Sequence, residues 1–277
     1  MANEAIRSAY QQEMRHLVDH ANQARRIHAV NQYLQQFKWA FFHPYLRGYH
    51  IGHFETMKNE NSGSIEGIFR IFVQQFYELD ATAYYIDGYF KKRPSLEPFC
   101  LLIDQSVILC LQRDFAGAIN ILIPVIEGAI RHYLINFQNK ESSKIIGKDD
   151  LIKVFTLMQE TIRKSKMEYY AHHYYAFVGR DIRFTKQQVQ LLTNKSMEFY
   201  RFWFEIIADF FSNNLYLDTR GTSVADSLNR HSIFHGFDTV VYYSLENYLR
   251  LFNCLHFLSW AFAVATPGRI HAADPGK

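Results

Sequence analysis

The sequence predicts an all-α protein, and three observations support that class. Only 13 glycines and 6 prolines occur among the 277 residues, a share well below the roughly 12 % of average proteins, so the chain should run in long elements with few turns. Apolar side chains recur mostly at steps of three and four, which is the period of an amphipathic helix. No segment alternates apolar and polar residues as a half-buried strand does.

Two long helices are predicted in the N-terminal third of the chain. Apolar residues follow the helical period over residues 10–41, and Pro44 is expected to end this first helix. Residues 43–63 are rich in turn-forming residues and are predicted to be a loop. A second helix is predicted over residues 65–90. It should end at the sequence KKRP, because cations suit a helix C-terminus and proline blocks continuation.

The rest of the chain is predicted to hold a second group of helices. They are expected at residues 95–111, 114–138, 149–166, 186–212, 224–235 and 240–265. A polar loop is predicted at residues 139–148, and the aromatic segment 169–178 is left open between helix and irregular structure. The chain is thus divided into an N-terminal helical region of unassigned role, residues 1–94, and a helical domain, residues 95–277.

The compartment is predicted to be the cytoplasm. The first 25 residues carry charges throughout and lack the apolar core of a secretory signal. The three cysteines are an odd number in apolar surroundings, which favours buried free thiols. Residues 115–135 and 251–266 are apolar, but charges interrupt the first and the second is shorter than the ~20 residues of a spanning helix. Both are predicted to be core helices, so no membrane partner is expected.

Several classes of chemistry lack their sequence signature. The chain has no phosphate-binding glycine loop, no G-x-S-x-G elbow, no C-x-x-C pair and no H-E-x-x-H helix. Its 13 histidines lack acidic or cysteine partners at ligand spacing, so no metal and no cofactor is expected. The net charge of +3 excludes nucleic-acid binding by overall charge and leaves only a local patch.

One segment, residues 228–236 with the sequence LNRHSIFHG, combines the residue types of acid–base chemistry. On a helix, His231 and His235 share a face, and Gly236 would place His235 at the helix C-terminus, where the dipole favours the protonated ring. An arginine such as Arg230 can hold the non-bridging oxygens of a phosphodiester while a histidine transfers protons. RNA supplies its own nucleophile, the 2′-hydroxyl.

The same residues also have a purely structural interpretation. An arginine and a histidine near a helix end are common as structural caps. Glu127 lies inside an apolar helix, and the simplest role for it is a buried pair with Arg131, one turn away.

The segment LNRHSIFHG resembles the signature of the HEPN superfamily, in which an arginine and a polar residue precede a histidine. Its form is similar to that of the Apea-like and related branches found in bacterial and phage-defence proteins. A second stretch, residues 121–131 with the sequence ILIPVIEGAIR, resembles the helix that precedes the motif in those proteins. The resemblance covers about residues 96–266.

This resemblance implies an all-α bundle that commonly dimerises and brings two motifs into one composite cleft. Many members are metal-independent endoribonucleases, often toxins or abortive-infection effectors, whereas others only bind RNA or partners. Position by position, Arg230 and His235 match the catalytic pair of the family. The positions that support the pair or bind RNA are matched by Asn229, His231, Glu127 and Arg131, the last two either lining the cleft or bracing the motif helix.

Two functions from different classes follow. The first is a HEPN-type endoribonuclease that cleaves single-stranded or loop RNA through the 2′-hydroxyl. It would act as a homodimer in phage defence or a toxin–antitoxin system, and an antitoxin or regulatory protein is a possible binding partner. The second is a non-catalytic module of the same fold that binds RNA, a nucleotide or a protein. The 16 % aromatic content favours the second, since aromatic rings anchor interfaces and stack on bases, although core packing is their simpler role.

Overall fold

The structure is a computed structural model. It describes residues 2–40, 48–60, 64–71, 73, 76–138, 148–173, 183–216, 228–230, 233 and 243–266. Every regular element within these residues is a helix, which confirms the predicted all-α class. Most of the loop predicted at residues 139–148, and residues 174–178 of the aromatic segment, lie outside the described residues.

The helices are named here in chain order. They are α1 (Ala2–Leu34), α2 (Gly48–Asn59), α3 (Ile65–Ile71), α4 (Leu79–Gly88), α5 (Cys100–Leu111), α6 (Phe115–Gln138), α7 (Lys148–Glu168), α8 (Lys186–Phe210) and α9 (Leu245–Ala265). Short 3₁₀ turns occupy Gln35–Phe37, Phe90–Lys92 and Glu97–Phe99, and π-helical turns occupy Tyr169–His173 and Phe211–Leu215. The helices predicted at 114–138, 149–166 and 186–212 are confirmed as α6, α7 and α8.

The loop predicted at residues 43–63 is wrong, because α2 lies within it. Three apolar side chains at a spacing of three residues, Ile51, Phe54 and Met57, are buried in the core. Gly52 lies inside the helix with no neighbour near its Cβ position. Burial of the apolar face therefore outweighs the low helix propensity of the glycines.

Two predicted helices are interrupted at positions where the sequence carries no glycine or proline. The first ends at Leu34 rather than near residue 41, because Lys38 adopts the left-handed conformation with a φ of 57°. The helix predicted over residues 65–90 is split into α3 and α4, since the backbone of Glu78 is extended, with a ψ of 154°. Both changes of direction are set by packing rather than by local propensity.

Two further helices begin later than predicted. Pro98 lies in a 3₁₀ turn, so α5 begins at Cys100 instead of residue 95. The last helix begins at Leu245 instead of residue 240, because Ser244 is its N-cap and accepts a hydrogen bond from the Asn247 backbone at 3.2 Å.

Helix α9 is the centre of the molecule. Every residue from Asn247 to Ala265 is buried, as expected for a helix that lies in the middle of a core. Rings from neighbouring helices pack on it, Phe204 of α8 at 5.6 Å from Phe257 and Tyr133 of α6 at 5.3 Å from Phe262. The prediction that residues 251–266 form a core helix is confirmed.

Helix α6 is the other apolar segment noted in the sequence. Within the described residues it alone is long and apolar enough to cross a membrane, and 61 % of its most apolar window is buried inside the structure. It packs against α5 and α9, so its apolar face contributes to the core. Among the three free cysteines, Cys100 and Cys254 are buried as predicted, whereas Cys110 is half-buried.

The helices on the two sides of residue 94 share one hydrophobic core. Phe54 and Phe90 from the N-terminal side belong to the same cluster as Phe252 and Leu258 of α9. The division of the chain at residue 94 stays a prediction. The hydrophobic core itself is continuous between the helices on the two sides of this position.

A line of polar residues on α9, Glu246, Arg250 and Asn253, faces the N-terminal region and is called the polar seam here. The Arg250 Nη2 donates to Glu246 Oε1 at 2.7 Å and to the Phe37 carbonyl at 2.9 Å. The Trp39 Nε1 donates to the same Glu246 oxygen at 3.0 Å. The steps of four and three residues place all three side chains on one face of the helix.

Asn253 is the most deeply buried member of the polar seam. Its Nδ2 donates to the Ala40 carbonyl at 2.7 Å, and its Oδ1 accepts from the Tyr77 hydroxyl at 3.1 Å. One amide thus satisfies two buried groups of the N-terminal region, as buried polar groups require.

We expect Asn253→Leu to lower the free energy of unfolding by about 2–4 kcal/mol, because it removes the hydrogen bonds that Asn253 makes with the buried Ala40 carbonyl and with the Tyr77 hydroxyl. Urea denaturation at pH 7 measures the change. Arg70→Ala is the matched control, since it removes only an exposed ion pair with Glu66 and should change stability little. Equal losses in the two variants would contradict the role of the seam.

Candidate functional site

Glu127 and Arg230, which lie in the two stretches singled out by the sequence, are in contact. The Arg230 Nε lies 2.6 Å from the Glu127 Oε1, and the two side chains are 33 % and 12 % exposed, respectively. The sequence suggested Arg131 as the partner of Glu127; the structure brings Arg230 of the motif to it. Arg131 is half-buried on α6, one turn beyond Glu127.

Glu127 is held in place by the packing of α6. The neighbouring residues Val125, Ile126 and Ala129 are fully buried, so the helix cannot rotate without exposing its apolar face. Gly128 permits a close approach of the Phe99 ring, because a Cβ at this position would lie 2.7 Å from the ring. A larger residue in place of Gly128 would therefore collide with the Phe99 ring.

Tyr216 completes the site. Its hydroxyl donates a hydrogen bond to the Glu127 Oε1 at 2.6 Å, and its ring centroid lies 5.9 Å from the Arg230 guanidinium carbon. Burial, and then the charge and hydrogen bond of Glu127, raise the pKa of the Tyr216 hydroxyl well above its ordinary value. The hydroxyl therefore stays protonated and remains a donor. We call these three residues the Glu127–Tyr216–Arg230 cluster.

The backbone before Arg230 is anchored in the core. Leu228 and Asn229 are almost fully buried and are not helical. The Ile233 backbone N–H donates to the Asn229 carbonyl at 3.0 Å, and Arg230 and Ile233 are helical. The continuous helix predicted over residues 224–235 is therefore wrong at Leu228 and Asn229, while residues 224–227, 231–232 and 234–235 lie outside the described residues.

The remaining predicted site residues, His231 and His235, lie outside the described residues. The sequence did not predict Tyr216 as a site residue. Tyr216 lies in a turn after an apolar run, and no sequence pattern indicates that it contacts two residues distant in the chain. Within the described residues, no three His, Cys, Asp or Glu side chains lie close enough together to hold a metal ion.

The cluster is suited to hold an anion next to a fixed arginine. The Arg230 Nε forms an ion pair with the Glu127 carboxylate without the alignment of a hydrogen bond, and a guanidinium carries five N–H donors of the kind that bind a phosphate. One-third of the Arg230 side chain is exposed, so it reaches the protein surface. The Tyr216 ring and the carboxylate restrict its rotation.

No protein family, curated protein or solved structure matches this chain. The contacts of the cluster are therefore the structural basis for a functional proposal.

We expect Tyr216→Phe to lower stability by about 1–2 kcal/mol at pH 7, because Glu127 loses a buried donor. The folded pKa of Tyr216 is raised, so the stability that its neutral form contributes is present below the unfolded pKa of about 10 and is lost as the pH rises above it. Above pH 10 the wild type should therefore lose up to ~1.4 kcal/mol more per pH unit than the variant. Urea denaturation from pH 7 to 11 measures both proteins. A constant difference across this range would contradict the assignment.

Proposed function

We propose that this chain is a metal-independent endoribonuclease of the HEPN type, with Arg230 and His235 as its catalytic residues. The observation that supports the proposal is the 2.6 Å contact between Glu127 and Arg230. The two stretches that resemble the family come from distant parts of the chain, and their charged residues meet.

In the proposed mechanism, Arg230 binds the non-bridging oxygens of the scissile phosphate and neutralises the charge that develops there. Glu127 orients the guanidinium. The 2′-oxygen attacks phosphorus and the bond from phosphorus to the 5′-oxygen breaks, leaving a cyclic phosphate and a 5′-hydroxyl. One histidine accepts the proton of the 2′-hydroxyl, and another donates a proton to the leaving oxygen.

The reaction needs both an acid and a base, which favours a homodimer in which each copy supplies one His235. The supporting residues are Asn229, His231 and Arg131. The net charge of +3 favours a short single-stranded or loop segment of RNA over a long duplex. We propose phage defence or a toxin–antitoxin system in the cytoplasm as the setting, with an antitoxin or regulatory protein as a restraining partner.

A non-catalytic module that binds RNA, a nucleotide or a protein is the second candidate. It is favoured by the ion pair between Arg230 and Glu127. Such a pair can also act only as a structural link between α6 and the segment that contains Arg230. The two candidates differ in whether bound RNA is cut.

The test is incubation of the purified protein with end-labelled single-stranded RNA in EDTA. We expect cleavage products with cyclic-phosphate ends, and a loss of rate of at least about 10²-fold in His235→Ala and Arg230→Ala. DNA of the same sequence should stay intact because it lacks the 2′-hydroxyl. Arg201→Ala is the control, since Arg201 is exposed and its contacts are an ion pair with Glu205 and the ring of Phe202. Equal cleavage by wild type and His235→Ala would contradict the proposal.

Glu127→Gln tests the positioning role. It keeps the size of the side chain but removes the charge that fixes Arg230, so we expect a rate loss of about 10²-fold from misplacement of the guanidinium. RNA binding by a gel-shift assay should fall much less than the rate. An unchanged cleavage rate would show that the contact is only structural.

Dimerisation is tested by sedimentation of the purified chain at micromolar concentration. We expect a dimer, because a composite site needs two copies of the motif. A strict monomer that still cleaves RNA would contradict the composite site.

A further inference from the structure

A second site lies away from the Glu127–Tyr216–Arg230 cluster, in a cavity between α4, α5 and α9. Its volume is about 290 Å³, near the lower end of the ~300–1,000 Å³ of small-molecule sites. The lining is predominantly apolar and includes Val107, Leu245, Tyr248, Leu249 and Phe252. Such a lining favours an alkyl chain over a nucleotide or a sugar, whose polar groups would lose their hydration.

Two leucines at the cavity mouth are exposed to solvent. Leu79 on α4 is 60 % exposed and Leu111 on α5 is 62 % exposed, and both also line the cavity. Exposed apolar side chains that surround an apolar opening are typical of a binding site. Cys110 also lines the cavity, and burial raises the pKa of its thiol to about 11, which agrees with a lining of low polarity.

One cation lines the same cavity. Arg113 is exposed, and no described residue forms an ion pair or a hydrogen bond with its side chain. Its backbone is left-handed, with a φ of 66°, in the turn between α5 and α6, where glycine would be the unstrained residue. Because this conformation disfavours residues with a side chain, the presence of an arginine here indicates a role for its guanidinium.

Hydroxyl groups add little polarity to the cavity. Tyr248 contributes its ring to the lining, because its hydroxyl has almost no accessible surface. The hydroxyl of Tyr77, another lining residue, donates to the Asn253 Oδ1 at 3.1 Å. Thr82 is the third hydroxyl-bearing residue of the lining, which is otherwise largely apolar.

We propose that this cavity binds a medium-chain carboxylate, with the alkyl chain between α4, α5 and α9 and the carboxylate paired with Arg113. The apolar interior, the leucines at the mouth and the single cation match the two ends of such a molecule. The proposal is independent of ribonuclease activity, since no residue is shared between the cavity and the Glu127–Tyr216–Arg230 cluster.

The test is isothermal titration calorimetry of the full chain with decanoate and with decanol. We expect wild type and Arg113→Lys to bind decanoate, and Arg113→Gln to bind it at least about tenfold more weakly because the charge-assisted pair is lost. Decanol binding should be equal in wild type and Arg113→Gln, since the alcohol carries no charge. Val107→Phe, which places a ring in the cavity, should lose both ligands.

A second measurement locates the ligand. Bound decanoate should slow the alkylation of Cys110 by N-ethylmaleimide, followed by peptide mass spectrometry, with Cys100 and Cys254 as internal references because both are buried. Decanoate that fails to bind, or that binds Arg113→Gln and Val107→Phe as well as the wild type, would overturn the proposal. Binding only to phospholipid vesicles, with none to free decanoate, would overturn it in favour of a membrane surface.

Discussion

The whole structure depends on one constraint, which is that a helix buried on all sides must find partners for its polar residues. Helix α9 is buried from Asn247 to Ala265, and in its polar seam the Arg250 Nη2 and the Asn253 Nδ2 donate to backbone carbonyls of the N-terminal region. An unpaired buried amide or guanidinium is costly. The N-terminal helices are therefore part of the core and do not form a separate appendage.

The Glu127–Tyr216–Arg230 cluster follows the same rule closer to the surface. A partly buried carboxylate needs a cation and a donor, and it receives both from segments that the chain brings back to α6. Removing one partner of such a pair lowers the free energy of unfolding by more than the intact pair contributes, because the remaining charge stays buried. The cluster is therefore rigid, which is a property that a structural brace and a catalytic arginine share. Only chemistry on a bound substrate distinguishes these two roles.

Arg113 differs from the arginines of the polar seam and of the Glu127–Tyr216–Arg230 cluster. Arg250 and Arg230 each have a carboxylate in contact, whereas Arg113 is exposed beside an apolar cavity, in a left-handed turn. A ligand that carries both a negative charge and an alkyl chain would complement this cation and the cavity beside it.

The sequence determined the helical class and the long helices α6, α8 and α9, because a periodic apolar face specifies a helix wherever it is buried. It did not determine α2, the break between α3 and α4, or the start of the motif helix at Arg230, since local propensity is weak and the packing of distant segments overrides it. For the site, the sequence marked Glu127 and Arg230 as unusual residues but not as partners, and it gave no sign of Tyr216. Spacing along a chain carries information about neighbours within a helix. Contacts between helices are decided only when the tertiary structure buries their apolar faces together.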